Sequence, residues 1–461
     1  MTTTATTRKG GPGFVLALCF FAMLGDGFDL TIYGSTLPSL MHQFGTDKQT
    51  LANIHSATLA AMMVGFILAG PIADRIGRRL PIIVGTLLFS LFNGACLFAD
   101  SLGTFGTFRI LSGIFLGTVV PSVIALVAEF APAGKRQVFN GIAMIGYPVG
   151  GILVTAISLT VLPTAAELTA AAEAGSPLEN WRLVYGFAAI FLVLVPIMIW
   201  RLPESPGYLM ATGREEESLV VIREWGVDPG VVYADKKAAD DAGAGGYRLL
   251  LSNRYVVATI IFTLVVFCQQ VLTYGPNTWL PAMTAAMGFA GMQGTWALLC
   301  MSFGSVVGTY IGARIADKGG ATRTIIPYFV LCAISLTALA YGEAIGAVGI
   351  FVAAFLTGFS VTGSTALMYG IIAAYYPVSS RGSAVGFCVG IARCGGILGP
   401  QIGAVFVSPR AGLLAFMVLA ILGAALVAVL RAYQSRRGSD GPQVDGIDPR
   451  AAKTESEVVA G

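Results

Sequence analysis

The chain has 461 residues, 55% of them hydrophobic and only 11% charged, with a formal net charge of +3. An ordinary soluble domain is about 25% charged, so this composition excludes a soluble globular protein, and so small a net charge leaves no electrostatic footprint for nucleic acid. Apolar stretches of about 20 residues, the length that crosses roughly 30 Å of hydrocarbon, recur along the whole chain, which a single targeting segment does not explain.

Residues 1–13 form a short polar tail containing Arg8 and Lys9. Apolar runs over roughly 14–40, 51–72, 80–99, 104–128, 137–162 and 183–201 predict six membrane-spanning helices, a first half covering 14–201. A polar linker follows over 202–253, with a short helix near 213–225. Runs over roughly 255–280, 292–314, 324–342, 347–374, 383–407 and 411–431 predict six more, a second half covering 254–431. Residues 432–461 are polar and are expected to be disordered. The expected fold class is an all-α membrane protein with twelve transmembrane helices in two six-helix halves.

Lysine and arginine set the orientation. With the N-terminus inside, 23 of the 28 basic residues fall on the inner side. Three (Lys48, Arg182 and Arg410) fall outside, and two (Arg109 and Arg393) fall within spans. Both termini and the linker are therefore expected in the cytoplasm. All seven cysteines lie in apolar runs and read as small buried hydrophobes. None has metal-ligand spacing with a histidine, and neither a metal nor a cofactor is expected.

The first span contains two aspartates, Asp26 and Asp29, in the run Leu24-Gly-Asp-Gly-Phe-Asp-Leu-Thr-Ile-Tyr-Gly34. A carboxylate near the bilayer centre costs about 2.5–3.5 kcal/mol on insertion scales, and chains that carry one usually use it on an ion, proton or substrate path. Spaced i, i+3, the two lie on one helix face, which Tyr33 continues. Burial and a neighbouring like charge make such a pair titrate as a unit, so both are candidates for carrying a coupled proton.

The halves are related. A shift of 243 residues places Ile72-Ala-Asp-Arg75 on Ile315-Ala-Asp-Lys318, Gly77 on Gly320 and Leu37-Pro38 on Leu280-Pro281. A shift of 245 places Gly150-Gly-Ile-Leu153 on Gly395-Gly-Ile-Leu398. A parallel six-plus-six repeat is a transporter architecture, with the substrate site near the midplane between the halves.

Gly70-Pro-Ile-Ala-Asp74-Arg75-Ile-Gly77-Arg78-Arg79 resembles the signature loop of the major facilitator superfamily. Arg109-Ile-Leu-Ser-Gly113-Ile-Phe-Leu-Gly117 resembles its span-four motif, and Leu202-Pro-Glu204-Ser-Pro206 its exit from span six. Within that superfamily, Asp26-Gly27-Phe28-Asp29 resembles the span-one motif of the aromatic acid:proton symporters. It is supported by Tyr274-Gly-Pro-Asn-Thr-Trp279-Leu-Pro281 and Ala392-Arg393-Cys-Gly-Gly396-Ile-Leu-Gly-Pro400. Pro276 stands where that family's pattern has leucine. The resemblance implies a major facilitator fold in the inner membrane of a bacterium, importing benzoate- or hydroxybenzoate-like acids with protons for aromatic catabolism. A transporter of another organic acid, dicarboxylate or shikimate-like, and a proton-driven drug exporter are the alternatives. No Ser/His/Asp, metal or nucleotide motif points to an enzyme.

Import of an aromatic anion with protons requires a protonatable group, a cation and an aromatic wall. Arginine keeps its charge and grips a carboxylate with a planar fork of donors. Arg393 is about ten residues, roughly 15 Å, from the inner end of span eleven, which makes it the candidate substrate anchor. Arg109, near the outer end of span four, is a candidate for coupling, for snorkelling outward, or for a structural ion pair with a span-one aspartate. Tyr33, Tyr274 and Trp279 are candidate ring contacts and Asn277 a candidate hydrogen-bond donor, with Phe28 and Phe387 as further aromatics. Glu129 is expected in a gate ion pair near Lys135 and Arg136. Gly70, Asp74, Arg75, Gly77 and Arg78 are expected to form a latch in which Asp74 faces the positive end of a neighbouring helix. His55 is a weaker proton candidate, and His42 is expected in a solvated loop. The glycines of spans four and five (Gly113 with Gly117, and Gly146 with Gly150 and Gly151) are expected to let helices approach closely. The expected partners are a small aromatic acid, protons and the lipid bilayer, with the chain acting as a monomer.

Overall fold

The computed structural model describes residues 10–162, 179–230, 232–233, 246–286, 293–405 and 408–437. Among them are twelve helices long and apolar enough to cross a membrane. Spans one to six are Pro12–Phe44, Lys48–Ile76, Arg79–Ala95, Leu102–Phe130, Arg136–Val161 and Asn180–Arg201. Spans seven to ten are Val256–Ala286, Gln293–Gly319, Ala321–Ala340 and Gly342–Tyr375. Span eleven is two segments, Val378–Ala392 and Cys394–Val405, and span twelve is Pro409–Arg437. The protein is a multi-pass membrane protein of all-helical architecture.

Local chemistry explains the ends. Pro12 opens span one, where a missing N–H costs nothing. Gly45, at φ 56°, closes it in the left-handed conformation. The Asp47 carboxylate accepts from the Thr50 N–H at 3.2 Å and starts span two. Span one thus runs further than its apolar stretch, and His42 lies in its last helical turn, not in a loop. Span six carries a 3-10 stretch, Phe187–Val193, between two α-helical pieces. The linker contains helices Pro206–Ala211 and Glu215–Trp225, the second where the sequence predicted one.

Span one packs on span five and span two on span four; in the second half span seven packs on span eleven and span eight on span ten. These are the same pairs under the internal repeat. Across the halves, span two packs on span eleven and span five on span eight, which are again images of one another. The glycines of spans four and five make close approach possible. A Cβ on Gly150 would meet the Leu24 carbonyl of span one, and one on Gly117 the Met62 carbonyl of span two. Large apolar side chains such as Leu68, Ile190 and Val348 remain exposed on the outer faces, where lipid covers them.

Candidate functional site

Two carboxylate–arginine pairs sit in the middle of the bundle, one turn apart on span one. Asp26, 2% exposed, faces Arg393 across the junction of the halves, with 3.8 Å between Oδ2 and Nη2. Arg393 occupies the break between the two segments of span eleven. Its Nη1 donates to the Tyr274 hydroxyl of span seven at 2.6 Å, and its guanidinium lies 4.7 Å from the centre of the Phe66 ring of span two. Tyr147 of span five lies against Tyr274, and Tyr369 of span ten is close to Arg393. One arginine of the second half is therefore enclosed by aromatic rings of both halves and by one carboxylate of the first. The Asp26 Oδ1 has no hydrogen-bond partner within the protein. Arginine so placed can exchange one carboxylate for another.

Asp29 belongs to a different cluster. It is paired with Arg109 of span four and accepts from the Asn93 amide of span three. Arg109 also donates to the Asn93 Oδ1 at 3.1 Å. Arg109 is fully buried, so it does not snorkel outward. Tyr33 belongs to this cluster too. Its ring stacks on His55 at 4.7 Å and lies 5.5 Å from the Arg109 guanidinium, and its hydroxyl donates to the Leu51 carbonyl. Asp26 and Asp29 thus each face an arginine of their own.

The remaining ring and amide candidates divide. Tyr274 is at Arg393. Asn277 is exposed, and its amide donates to the Thr273 carbonyl at 2.6 Å. The side chain of Trp279 lies outside the described residues. Phe28 is packed edge-on against Phe191 inside the first half, and Phe387 packs on Tyr247 of the linker.

The signature loop meets the second half at one end of the bundle, which carries Arg75, Arg78, Arg79 and Arg381. The Asp74 carboxylate accepts from the Ser383 N–H at 3.1 Å and from its hydroxyl, at the start of span eleven. Arg78 braces Asp74 at 3.4 Å. Gly70 lies so close to the Ser383 backbone that a Cβ there would overlap it. Gly77 has φ 93° and packs on the Glu204 carboxylate, which accepts from the Arg78 and Arg79 N–H groups and starts span three. The Arg75 side chain is exposed, and its carbonyl accepts from the Tyr208 hydroxyl.

The repeat reproduces this latch. Asp317 accepts from the Gln137 and Val138 N–H groups at 2.9 Å each, at the start of span five. Both aspartates therefore face helix N-termini of the opposite half, where a negative charge is stabilised.

Glu129, 1% exposed, sits between Arg78 of the first half at 3.7 Å and Arg381 of the second at 3.8 Å. It also accepts from the Ser205 hydroxyl and the Gly207 N–H. Its ion-pair partners are thus Arg78, in the loop after span two, and Arg381, at the start of span eleven.

Arg381 was expected only as an inner-side charge, and Asn93, Tyr147, Tyr369 and Ser383 were not among the expected site residues. A shift of 245 residues places Arg136 on Arg381 and Val138 on Ser383, so the repeat carried a signal for two of them. Asn93, a lone amide in an apolar span, carried another.

The family model described as Major Facilitator Superfamily matches residues 19–346 and 262–452. The chain belongs to the major facilitator superfamily. It is a transporter and not an enzyme. Among curated superfamily members it is 28% identical to the gentisate transporter of Corynebacterium glutamicum over 90% of this chain and 86% of that one. It is 27% identical to the benzoate transport protein of Acinetobacter baylyi over 84% and 81%, and 29% identical to the gallate transporter of Pseudomonas putida over 90% of each. Among solved structures the proton:xylose symporter XylE bound to 6-bromo-6-deoxy-D-glucose matches with a TM-score of 0.78 at 18% identity, over 90% of this chain and 94% of that one. At that identity the match establishes the superfamily fold alone.

Proposed function

We propose that the protein is a proton-coupled symporter that imports aromatic carboxylates of the benzoate and hydroxybenzoate class by alternating access between its two halves. The observation that carries this reading is the buried Asp26–Arg393 pair, which bridges the halves with Tyr274, Phe66 and Tyr369 around it. An incoming carboxylate competes with Asp26 for the guanidinium fork, and its ring lies among the aromatics. Asp26, released from Arg393 in a low-dielectric site, takes up a proton. Neutralising both Asp26 and the substrate removes the charges that hold the halves in one arrangement. The names of the curated relatives, which include gentisate, benzoate and gallate transporters, support the substrate class.

In this reading the basic end faces the cytoplasm of a bacterium, and the Asp74, Asp317 and Glu129 contacts hold that side shut while substrate and proton enter from outside. The first half, linker and second half act as two rocking bodies and their connector, within one monomer. A buried arginine at the centre has no use in an exporter of cationic drugs. The test is uptake of labelled benzoate and 4-hydroxybenzoate into cells expressing the protein, with and without a protonophore. Saturable uptake that collapses with the proton gradient supports the reading. Absence of uptake of either, with the protein present in the membrane, overturns the substrate class.

A further inference from the structure

Span seven presents Gln270, Tyr274 and Asn277 at i, i+4 and i+7, one stripe along the helix. Tyr274 is the residue whose hydroxyl accepts from Arg393. Gln270, one turn towards the basic end, is 3% exposed, and its amide nitrogen has no hydrogen-bond partner within the protein. The two positions after Cys394 fix where these side chains stand. A Cβ on Gly395 would lie 3.2 Å from the Gln270 Cβ, and one on Gly396 would lie 3.0 Å from the Tyr274 ring. Gln270 and Tyr274 therefore flank the segment of span eleven that follows Arg393.

A buried amide donor left without an acceptor is costly. A site built to hydrogen-bond a ligand hydroxyl rejects the analogue that lacks it, because the site's own polar group is then stranded. Four residues of helix rise about 6 Å, comparable to the span of a benzene ring between a carboxylate at one end and a substituent at the other.

We propose that Gln270 is a specificity-determining residue that donates its amide N–H to a ring hydroxyl remote from the carboxylate, so that the preferred substrates are hydroxylated aromatic acids and not benzoate itself. This rests on the reading of Arg393 as the carboxylate anchor. Gln269 is also buried without a protein partner for its amide. It lies about 100° further round the helix from Gln270, off the stripe that carries Tyr274, and serves as the comparison.

The experiment measures competition of benzoate, 2-hydroxybenzoate and 4-hydroxybenzoate for uptake of labelled 4-hydroxybenzoate, in the wild type, Gln270→Leu, Gln270→Met and Gln269→Leu. The wild type is expected to prefer the 4-hydroxy acid over both others by about tenfold. That ratio falls close to one in both Gln270 variants and persists in Gln269→Leu. A wild type that transports aromatic acids with no preference for the 4-hydroxyl overturns the proposal without recourse to any variant. So does a preference that survives in either Gln270 variant, or one lost equally in Gln269→Leu. If Gln270→Leu fails to reach the membrane, Gln270→Met, of similar length and without the donor, decides. A wild type that takes up none of the three acids overturns instead the substrate class on which the proposal rests.

Discussion

Asp26 and Arg393 face each other at 3.8 Å from opposite halves, whereas Asp29, one turn along the same helix, is held by Arg109 within the first half. The two aspartates therefore have different consequences when neutralised. Asp26→Asn is expected to abolish accumulation driven by a proton gradient while leaving exchange of labelled for unlabelled substrate across the membrane, because exchange needs no net proton movement. Equal loss of accumulation and exchange would remove Asp26 as the coupling group.

Asp29→Asn leaves Arg109 charged, buried and stripped of its counter-charge. Breaking a buried pair by removing one partner costs about 3–5 kcal/mol. The variant is expected to show a clear fall in Tm after solubilisation, with Asp29→Leu/Arg109→Leu recovering part of it. Asp29→Leu, Arg109→Leu and the double Asp29→Leu/Arg109→Leu form a cycle whose coupling energy reports the pair. A coupling near zero, with accumulation lost in Asp29→Asn and Tm unchanged, would give Asp29 a proton role in place of a structural one.

Arg393→Ala removes a donor fork and leaves the aromatic wall intact. Hydrogen bonds to charged groups contribute about 1.5–3 kcal/mol, so binding of carboxylates is expected to weaken by tenfold or more, and binding of the matching carboxamides by much less. Ligand-induced shifts in Tm of the purified protein measure both. Equal losses would leave Arg393 without a part in holding the carboxylate.

Most of the architecture was legible because it follows from length and hydropathy. Twelve apolar runs of spanning length leave little choice but twelve helices, and the 243-residue shift set Asp317 on Asp74. Of the partners, only the pairing of Arg109 with a span-one aspartate was legible, without which aspartate it would be. Asp26, Asp29 and Tyr33 read as one face of one helix, yet that face meets Arg393 at one level and Arg109 with His55 at another, and sequence spacing on span one says nothing of which neighbour stands opposite. Arg381 was hidden for the opposite reason. A basic residue at the inner end of a span is common as an orientation signal, and only the close packing of span eleven on span two buries this one beside Glu129.

The paired latches give the last prediction. Asp74 and Asp317 each accept from N–H groups at the start of a helix in the other half, and in the proposed gate each contributes to keeping the basic end shut. Charge-assisted hydrogen bonds of this kind contribute about 1.5–3 kcal/mol. Losing one shifts the equilibrium towards opening by about tenfold or more, and losing both by the product if the two act independently. In Asp74→Asn and Asp317→Asn the Asn side chain still accepts but carries no charge. Each variant is expected to raise the fraction open at the basic end, and the double variant more than either. Distances between spin labels placed on spans two and eleven near that end measure the fraction directly. Gly70→Leu, whose side chain would press on the Ser383 backbone, is expected to open the same end by a steric route that leaves both carboxylates in place. A double aspartate variant no more open than either single one would mean that the two latches release together, as one cooperative contact between the halves.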